Sequence, residues 1–217
     1  MHHAGAAALA AQPPGLRHRL GGGQKVSVAT ELKVLGRPQV LWAMGVTAVS
    51  QTGWFLLYSY ITPLLRDLTG FGESLAAGML FVFGFGGFLG NALGGRLADR
   101  SLRGTIAGML AVLAVMLLVI GAGARHAWPT GIAVLLIGVA SGALVPPLQA
   151  WALGAAGGGS TLVLAANASA FNLGNAAGSW AGSWMLGGGT AVNVLGYVGA
   201  AIVLLSLIGV VVALRKR

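Results

Sequence analysis

Cysteine is absent from the 217 residues, and charge is scarce, with Asp, Glu, Lys and Arg making up 8%. The first absence excludes disulfides and thiolate metal sites. The second excludes an ordinary soluble domain, which carries about 25% charged residues to cover itself in water. Acidic side chains number only 4, namely Glu31, Asp67, Glu73 and Asp99. Alternating segments of about ten residues, the mark of a membrane β-barrel, are missing as well. What fills the chain is apolar: 56% of residues are hydrophobic and the mean hydropathy is +0.84. No core of this size hides so much apolar surface, so lipid is the expected solvent.

A hydrocarbon layer of about 30 Å needs about 20 helical residues to cross it. Six uncharged stretches reach that length: Val40–Leu65, Ser74–Leu93, Thr105–Ala124, Thr130–Trp151, Thr161–Leu186 and Val192–Leu214. They are the first to sixth spans of an expected all-α membrane protein. Basic residues give the orientation. Arg17, Arg19, Lys25, Lys33 and Arg37 precede the first span, Arg96, Arg100 and Arg103 follow the second, and Arg215, Lys216 and Arg217 follow the sixth. The opposite side holds only Arg66 and Arg125. Both termini are therefore expected in the cytoplasm. The net charge of +9 reads as orientation across the membrane, not as a nucleic-acid partner.

Residues 1–30 differ in kind. Ala and Gly mix with Pro13-Pro14 and Gly21-Gly22-Gly23 without periodicity, so a disordered cytoplasmic segment is expected, followed by a six-helix domain over 31–217. His2 and His3 in such a tail do not make a metal site, and neither metal nor cofactor is expected.

An internal echo links two spans. Leu89-Gly90-Asn91-Ala92-Leu93-Gly94 in the second resembles Leu173-Gly174-Asn175-Ala176-Ala177-Gly178 in the fifth. These are the middle members of two successive triplets, which suggests two inverted three-helix repeats, a common transporter plan. Gly86, Gly90 and Gly94 recur every four residues, as do Gly174, Gly178 and Gly182. Such small-residue seams let helices approach closely, and packing is their expected role.

Polar residues inside lipid mark helix contacts or a cavity. Thr47, Gln51, Trp54 and Tyr58 form one stripe in the first span; Asn167, Phe171 and Asn175 form one face of the fifth, with Asn172 elsewhere. Interhelical hydrogen bonding and a substrate cavity explain these stripes equally well. The third and sixth spans are almost wholly apolar and are expected to face lipid. Pro146-Pro147, followed by Gln149, is expected to bend or break the fourth span at a hinge, a cavity wall or a plain kink. Gly94 to Gly104 is expected to be a charged cytoplasmic loop, with Asp99 set among Arg96, Arg100 and Arg103. An ordinary positive-inside turn explains it, as does a carboxylate held by arginine or backbone donors.

Three stretches together resemble the major facilitator superfamily, drug and sugar efflux branch, which includes arabinose-efflux-type permeases and chloramphenicol exporters. Tyr58-Ser59-Tyr60-Ile61-Thr62-Pro63-Leu64-Leu65 resembles the end of that family's helix seven. Gly90 through Arg103 resembles the second copy of its cytoplasmic loop motif, and Asn167 through Asn175 its helix eleven. The likeness implies the C-terminal half, helices seven to twelve, of a twelve-helix fold in a bacterial inner membrane. It runs from about Glu31 to the end and leaves residues 1–30 out. It implies that Gly95, Asp99, Arg100 and Arg103 stabilise one conformation of the transport cycle. Gly104 and Thr105 depart from the motif's final basic pair.

The same family places its proton-coupling carboxylate in the N-terminal half. No acidic residue and no histidine of this chain falls within a span. Self-sufficient proton antiport is therefore not expected. The expected function is half of a proton-coupled efflux transporter for small molecules. Its partner would be the missing half or a second copy, and its substrate cavity would include Thr47, Gln51, Trp54, Tyr58, Gln149, Asn167 and Asn175. A truncated product, a separately encoded half and a homodimer remain open, with truncation favoured because residues 1–30 read as unrelated sequence. A non-transporting subunit that binds a partner through its glycine seams is the alternative. An intramembrane serine protease is set aside, because Val139-Ala140-Ser141-Gly142 lacks the first glycine of such a motif and no span holds histidine.

Overall fold

The computed structural model describes residues 28–215, and the side-chain surroundings of residues 31–213. Among the described residues every regular element is helical: α1 (Val28–Leu35), α2 (Pro38–Tyr58), the short α3 (Ile61–Pro63), a π-helical turn (Leu64–Leu68), α4 (Glu73–Gly123), α5 (Ala127–Ala155), α6 (Thr161–Gly187) and α7 (Val194–Arg215). A backbone in lipid must satisfy its own hydrogen bonds, and long uncharged runs do so as helices. Four helical stretches are long and apolar enough to cross a membrane, Pro38–Leu68, Glu73–Gly123, Ala127–Ala155 and Val194–Ala213. The chain is an all-α, multi-pass membrane protein.

The helix ends follow local chemistry. Pro38 starts α2, where a missing N–H costs nothing. The hydroxyl of Ser160 accepts from the amide of Val163 at 3.2 Å and caps α6. Between α5 and α6, Gly157, Gly158 and Gly159 all take positive φ (88°, 87° and 70°), which side-chain-bearing residues resist.

Three expectations need correction, and a fourth falls almost wholly outside the described residues. The segment Gly94–Gly104 does carry the expected turn, but not as an extended loop: two helical arms of α4 meet at a single non-helical position, Ser101 (φ −157°, ψ 93°). Leu97, Ala98 and the arginines are good helix formers, and no proline interrupts them. α5 likewise continues through Pro146 and Pro147 without a break. The segment expected to be disordered is helical from Val28, where α1 begins, and its remainder lies outside the described residues. The third and sixth spans do not simply face lipid. Ile106, Leu110, Leu113, Leu117 and Ile120 form one fully buried stripe while Val115 and Leu118 stay exposed. On α7, Leu195, Ala200, Val203 and Val210 are buried opposite exposed Leu205 and Ile208.

Ser101 reverses the chain. Gly86 packs on Leu135 of α5, whereas Gly123 packs on Pro129 of the same helix. A straight α4 would hold Gly86 and Gly123 about 55 Å apart, yet their contacts on α5 are separated by only about 9 Å of helix. The arm before Ser101 runs parallel to α5, and the arm after it returns. The second arm then packs on α7, where a Cβ at Gly196 would meet the Leu117 carbonyl oxygen at 2.7 Å.

Candidate functional site

The stripe on α2 meets α6 and the first arm of α4. Thr47 and Asn167 are fully buried, and the Thr47 hydroxyl lies 3.1 Å from Asn167 Oδ1 and 3.0 Å from the Ala43 carbonyl oxygen. A hydroxyl has one proton to give. Donation to Ala43 leaves its oxygen free to accept from the Asn167 amide, whose O and N ends are interchangeable in shape. One end of that amide is left without a partner.

One turn further, Trp54 Nε1 donates to Gln51 Oε1 at 2.8 Å, and both side chains are buried. The Trp54 ring stacks on Phe83 of α4 at 5.9 Å, and Tyr58 lies 4.3 Å from the same ring. These aromatics and Leu117, Val134 and Ile137 enclose a cavity of about 10 Å³, no more than one water. No solute fits it in this conformation. Asn175 is half-buried on α6, and its Oδ1 is buried without a partner. Gln149 is half-buried on α5 and makes no hydrogen bond to this group among the described residues. The structure thus joins Thr47 to Asn167 and Gln51 to Trp54 and Tyr58, and leaves Gln149 apart.

The pattern of residues did not single out Phe83, which closes the cavity, and Tyr60 entered only through the family likeness; its hydroxyl donates to the Ser179 carbonyl at 3.1 Å and ties the turn after α2 to α6. Ser206, which donates to the Val46 carbonyl at 2.9 Å between α7 and α2, was also passed over. Apolar surroundings hid Phe83 and Ser206.

The glycines form two seams. A Cβ at Gly86, Gly90 or Gly94 would strike the backbone of Leu135, Val139 or Ala143 on α5. Pro147 removes the amide that would otherwise bond the Ala143 carbonyl, so Gly94 covers an acceptor without a helical donor. On the other side, Gly174 and Gly178 press on the carbonyls of Ala48 and Thr52 of α2, and Gly182 on the ring of Tyr60. Close backbone approach at both seams needs the missing side chain.

Gly95, Asp99, Arg100 and Arg103 flank the reversal. A Cβ at Gly95 would meet nothing within 4 Å, so close packing does not require that glycine. Asp99 and Arg100 are exposed, and Arg103 is half-buried. Ser101 shapes this corner, its hydroxyl accepting from the Gly104 amide at 3.2 Å while its carbonyl accepts from the Thr105 hydroxyl at 2.8 Å.

Residues 4–177 match the Major Facilitator Superfamily. The chain is 39% identical over 197 residues to the inner membrane transport protein YdhP of Escherichia coli (strain K12), covering 91% of this chain and 51% of that protein. It is 32% identical over 182 residues to the uncharacterized MFS-type transporter YfhI of Bacillus subtilis (strain 168), covering 77% and 45% respectively. The chain spans about half the length of the curated relatives it matches. The match from residue 4 corrects the expectation that the likeness begins near Glu31, and it removes the reason for treating residues 1–30 as unrelated sequence. These relatives are transport proteins, and the chain is not an enzyme.

Proposed function

Because the chain belongs to the Major Facilitator Superfamily, we propose that it forms one six-span half of a small-molecule transporter, equivalent to helices seven to twelve. The observation that carries the reading is the exchange between the two glycine seams. In the six-span count, the two arms of α4 are the second and third spans, α5 the fourth and α6 the fifth. The second span packs on the fourth through Gly86, Gly90 and Gly94, and the fifth packs on the first through Gly174, Gly178 and Gly182. Swapping the triplets turns one seam into the other, as two inverted repeats require. Both seams are also parallel pairs, as even–even and odd–odd spans must be.

A partner half is supported by an unpartnered face. Phe81 and Phe88 on the first arm of α4 and Trp180 and Trp184 on α6 are 81%, 72%, 72% and 73% exposed. In the proposed assembly these spans meet the missing half or a second copy. The polar cluster around Thr47, Gln51, Trp54, Asn167 and Asn175 lines this half's share of a cavity for neutral or amphipathic solutes. Gln149 joins that wall only once the interior opens. Gly95, Asp99, Arg100 and Arg103 sit at the cytoplasmic corner that changes contacts between conformations. Both termini lie in the cytoplasm, in a bacterial inner membrane like the one named for YdhP.

Energy coupling comes from outside this chain. Glu31 lies in α1, and Asp67, Glu73, Asp99 and His126 at helix ends or turns, all outside the uncharged spans, so the chain offers no intramembrane carboxylate or imidazole. The test is reconstitution in liposomes under a pH gradient, alone and together with a six-span partner bearing an intramembrane carboxylate. Solute accumulation is expected only with the partner. Accumulation by the chain alone overturns the reading.

A further inference from the structure

A groove of about 1110 Å³, far larger than the aromatic cavity, lies at the opposite end of the same bundle. It opens where α2 and the second arm of α4 begin and where α5 and α7 end. Arg37 and Arg103 line it with Trp42 and Trp151, and Ala107 and Val212 supply apolar wall. No acidic side chain lines it.

The walls are built. Trp42 Nε1 donates to the Gly209 carbonyl oxygen at 3.1 Å, which fixes α2 against α7. Trp151 is only 9% exposed and anchors the floor. Arg37 gives one N–H to the Ala156 carbonyl oxygen at 2.9 Å and caps α5, which leaves four N–H groups of a planar fork that suits phosphate. Tryptophan beside arginine at one end of a helix bundle is the composition of a membrane interface.

Charge narrows the occupant. The sequence is cationic before α1, with Arg17, Arg19 and Lys25, and at the end, with Arg215, Lys216 and Arg217, and residues 1–30 contain no acid. Two arginines with no acidic side chain beside them draw an anion to the groove. In a membrane protein the abundant anion with an apolar body is a lipid. A volume near the upper end of ligand pockets, about 300–1,000 Å³, holds a headgroup and the first acyl methylenes. Basic pockets between spanning helices are a known form of headgroup site.

We propose that this groove binds one anionic glycerophospholipid, its phosphate between Arg37 and Arg103 and its acyl chains along Ala107 and Val212. The inference rests on membrane residence and not on transport, so failure of one leaves the other standing.

Native mass spectrometry of the full chain titrated with phosphatidylglycerol, phosphatidylcholine or inorganic phosphate tests it. The first phosphatidylglycerol should bind at least tenfold tighter than phosphatidylcholine. A surface arginine adds about fivefold to anionic-lipid binding, so Arg37→Gln with Arg103→Gln should weaken it on the order of thirtyfold. Arg66→Gln with Arg125→Gln removes the same charge elsewhere and should leave it unchanged. If loss of the α5 cap unfolds the double variant, Arg103→Gln alone should still cost about fivefold. Phosphatidylglycerol brominated on its acyl chains should quench wild-type tryptophan fluorescence more than that of the Trp42→Phe, Trp151→Phe variant. Equal retention of the two lipids, indifference to Arg103→Gln, or full displacement of the lipid by millimolar phosphate overturns the proposal.

Discussion

The Thr47 hydroxyl and the Asn167 carboxamide meet at 3.1 Å across the α2–α6 interface, both without solvent exposure and 120 residues apart in sequence. In lipid this contact replaces what apolar attraction does in water, because lipid tails are as apolar as the helix surfaces they would leave. Thr47→Val should leave the Asn167 amide with no side-chain partner. A double-mutant cycle with Asn167→Ala, read by thermal unfolding in detergent, should give a coupling of about 0.6–1.7 kcal/mol. A coupling indistinguishable from zero would mean that the amide is satisfied from elsewhere, by a water or by the partner half.

Gln51 serves Trp54 in the same way but within one helix, accepting from its indole at 2.8 Å. Gln51→Leu leaves a buried N–H unpaired, a loss of about 1–3 kcal/mol. Trp54→Phe removes the donor together with the need for it, and should restore much of the stability lost in Gln51→Leu. Failure of that rescue would assign Gln51 a second role, against Gly174, whose Cβ would meet the Gln51 Cβ at 2.7 Å.

The seams give a sharper contrast. Gly90→Val places side-chain atoms inside the Val139 backbone and should destabilise the α4–α5 pair by about 1–3 kcal/mol. Gly95→Ala, five residues on in the same helix, meets nothing within 4 Å and should be neutral or stabilising by about 0.5–1 kcal/mol. Thermal unfolding in detergent distinguishes them, and similar losses in both would remove the seam from the account.

What the sequence could convey follows the same physics. Hydropathy runs and four-residue glycine spacing depend only on neighbours along one helix, so the all-helical membrane class and the glycine spacing were legible. Which helix each seam touches depends on tertiary order, and the aromatic ring of Phe83 reads like any lipid-facing side chain until Trp54 is found stacked on it. The basic segment misled for a local reason. Charges suggest a loop, but arginine, leucine and alanine are strong helix formers, and the chain stays helical on both sides of one serine. Pro146 and Pro147 likewise suggest a break, yet α5 stays one helix through them because surrounding helices hold it together.

That serine carries the last prediction. Ser101 is extended where its neighbours are helical, and its hydroxyl accepts from the Gly104 amide at 3.2 Å, which makes it the N-cap of the returning arm. Ser101→Ala removes the cap, a loss of about 1 kcal/mol, and places a strong helix former where the chain must turn. Ser101→Asp keeps an acceptor and adds a negative charge at a helix N-terminus, so it should match or exceed the original stability. Because the chain has no cysteine, a pair of spin labels can be introduced at Arg96 and Gly108, both exposed, without removing any native thiol. The distance distribution between them should broaden in Ser101→Ala and stay narrow in Ser101→Asp. An unchanged distribution in the alanine variant would show that packing of the arms on α5 and α7 sets the reversal and that the serine merely accommodates it.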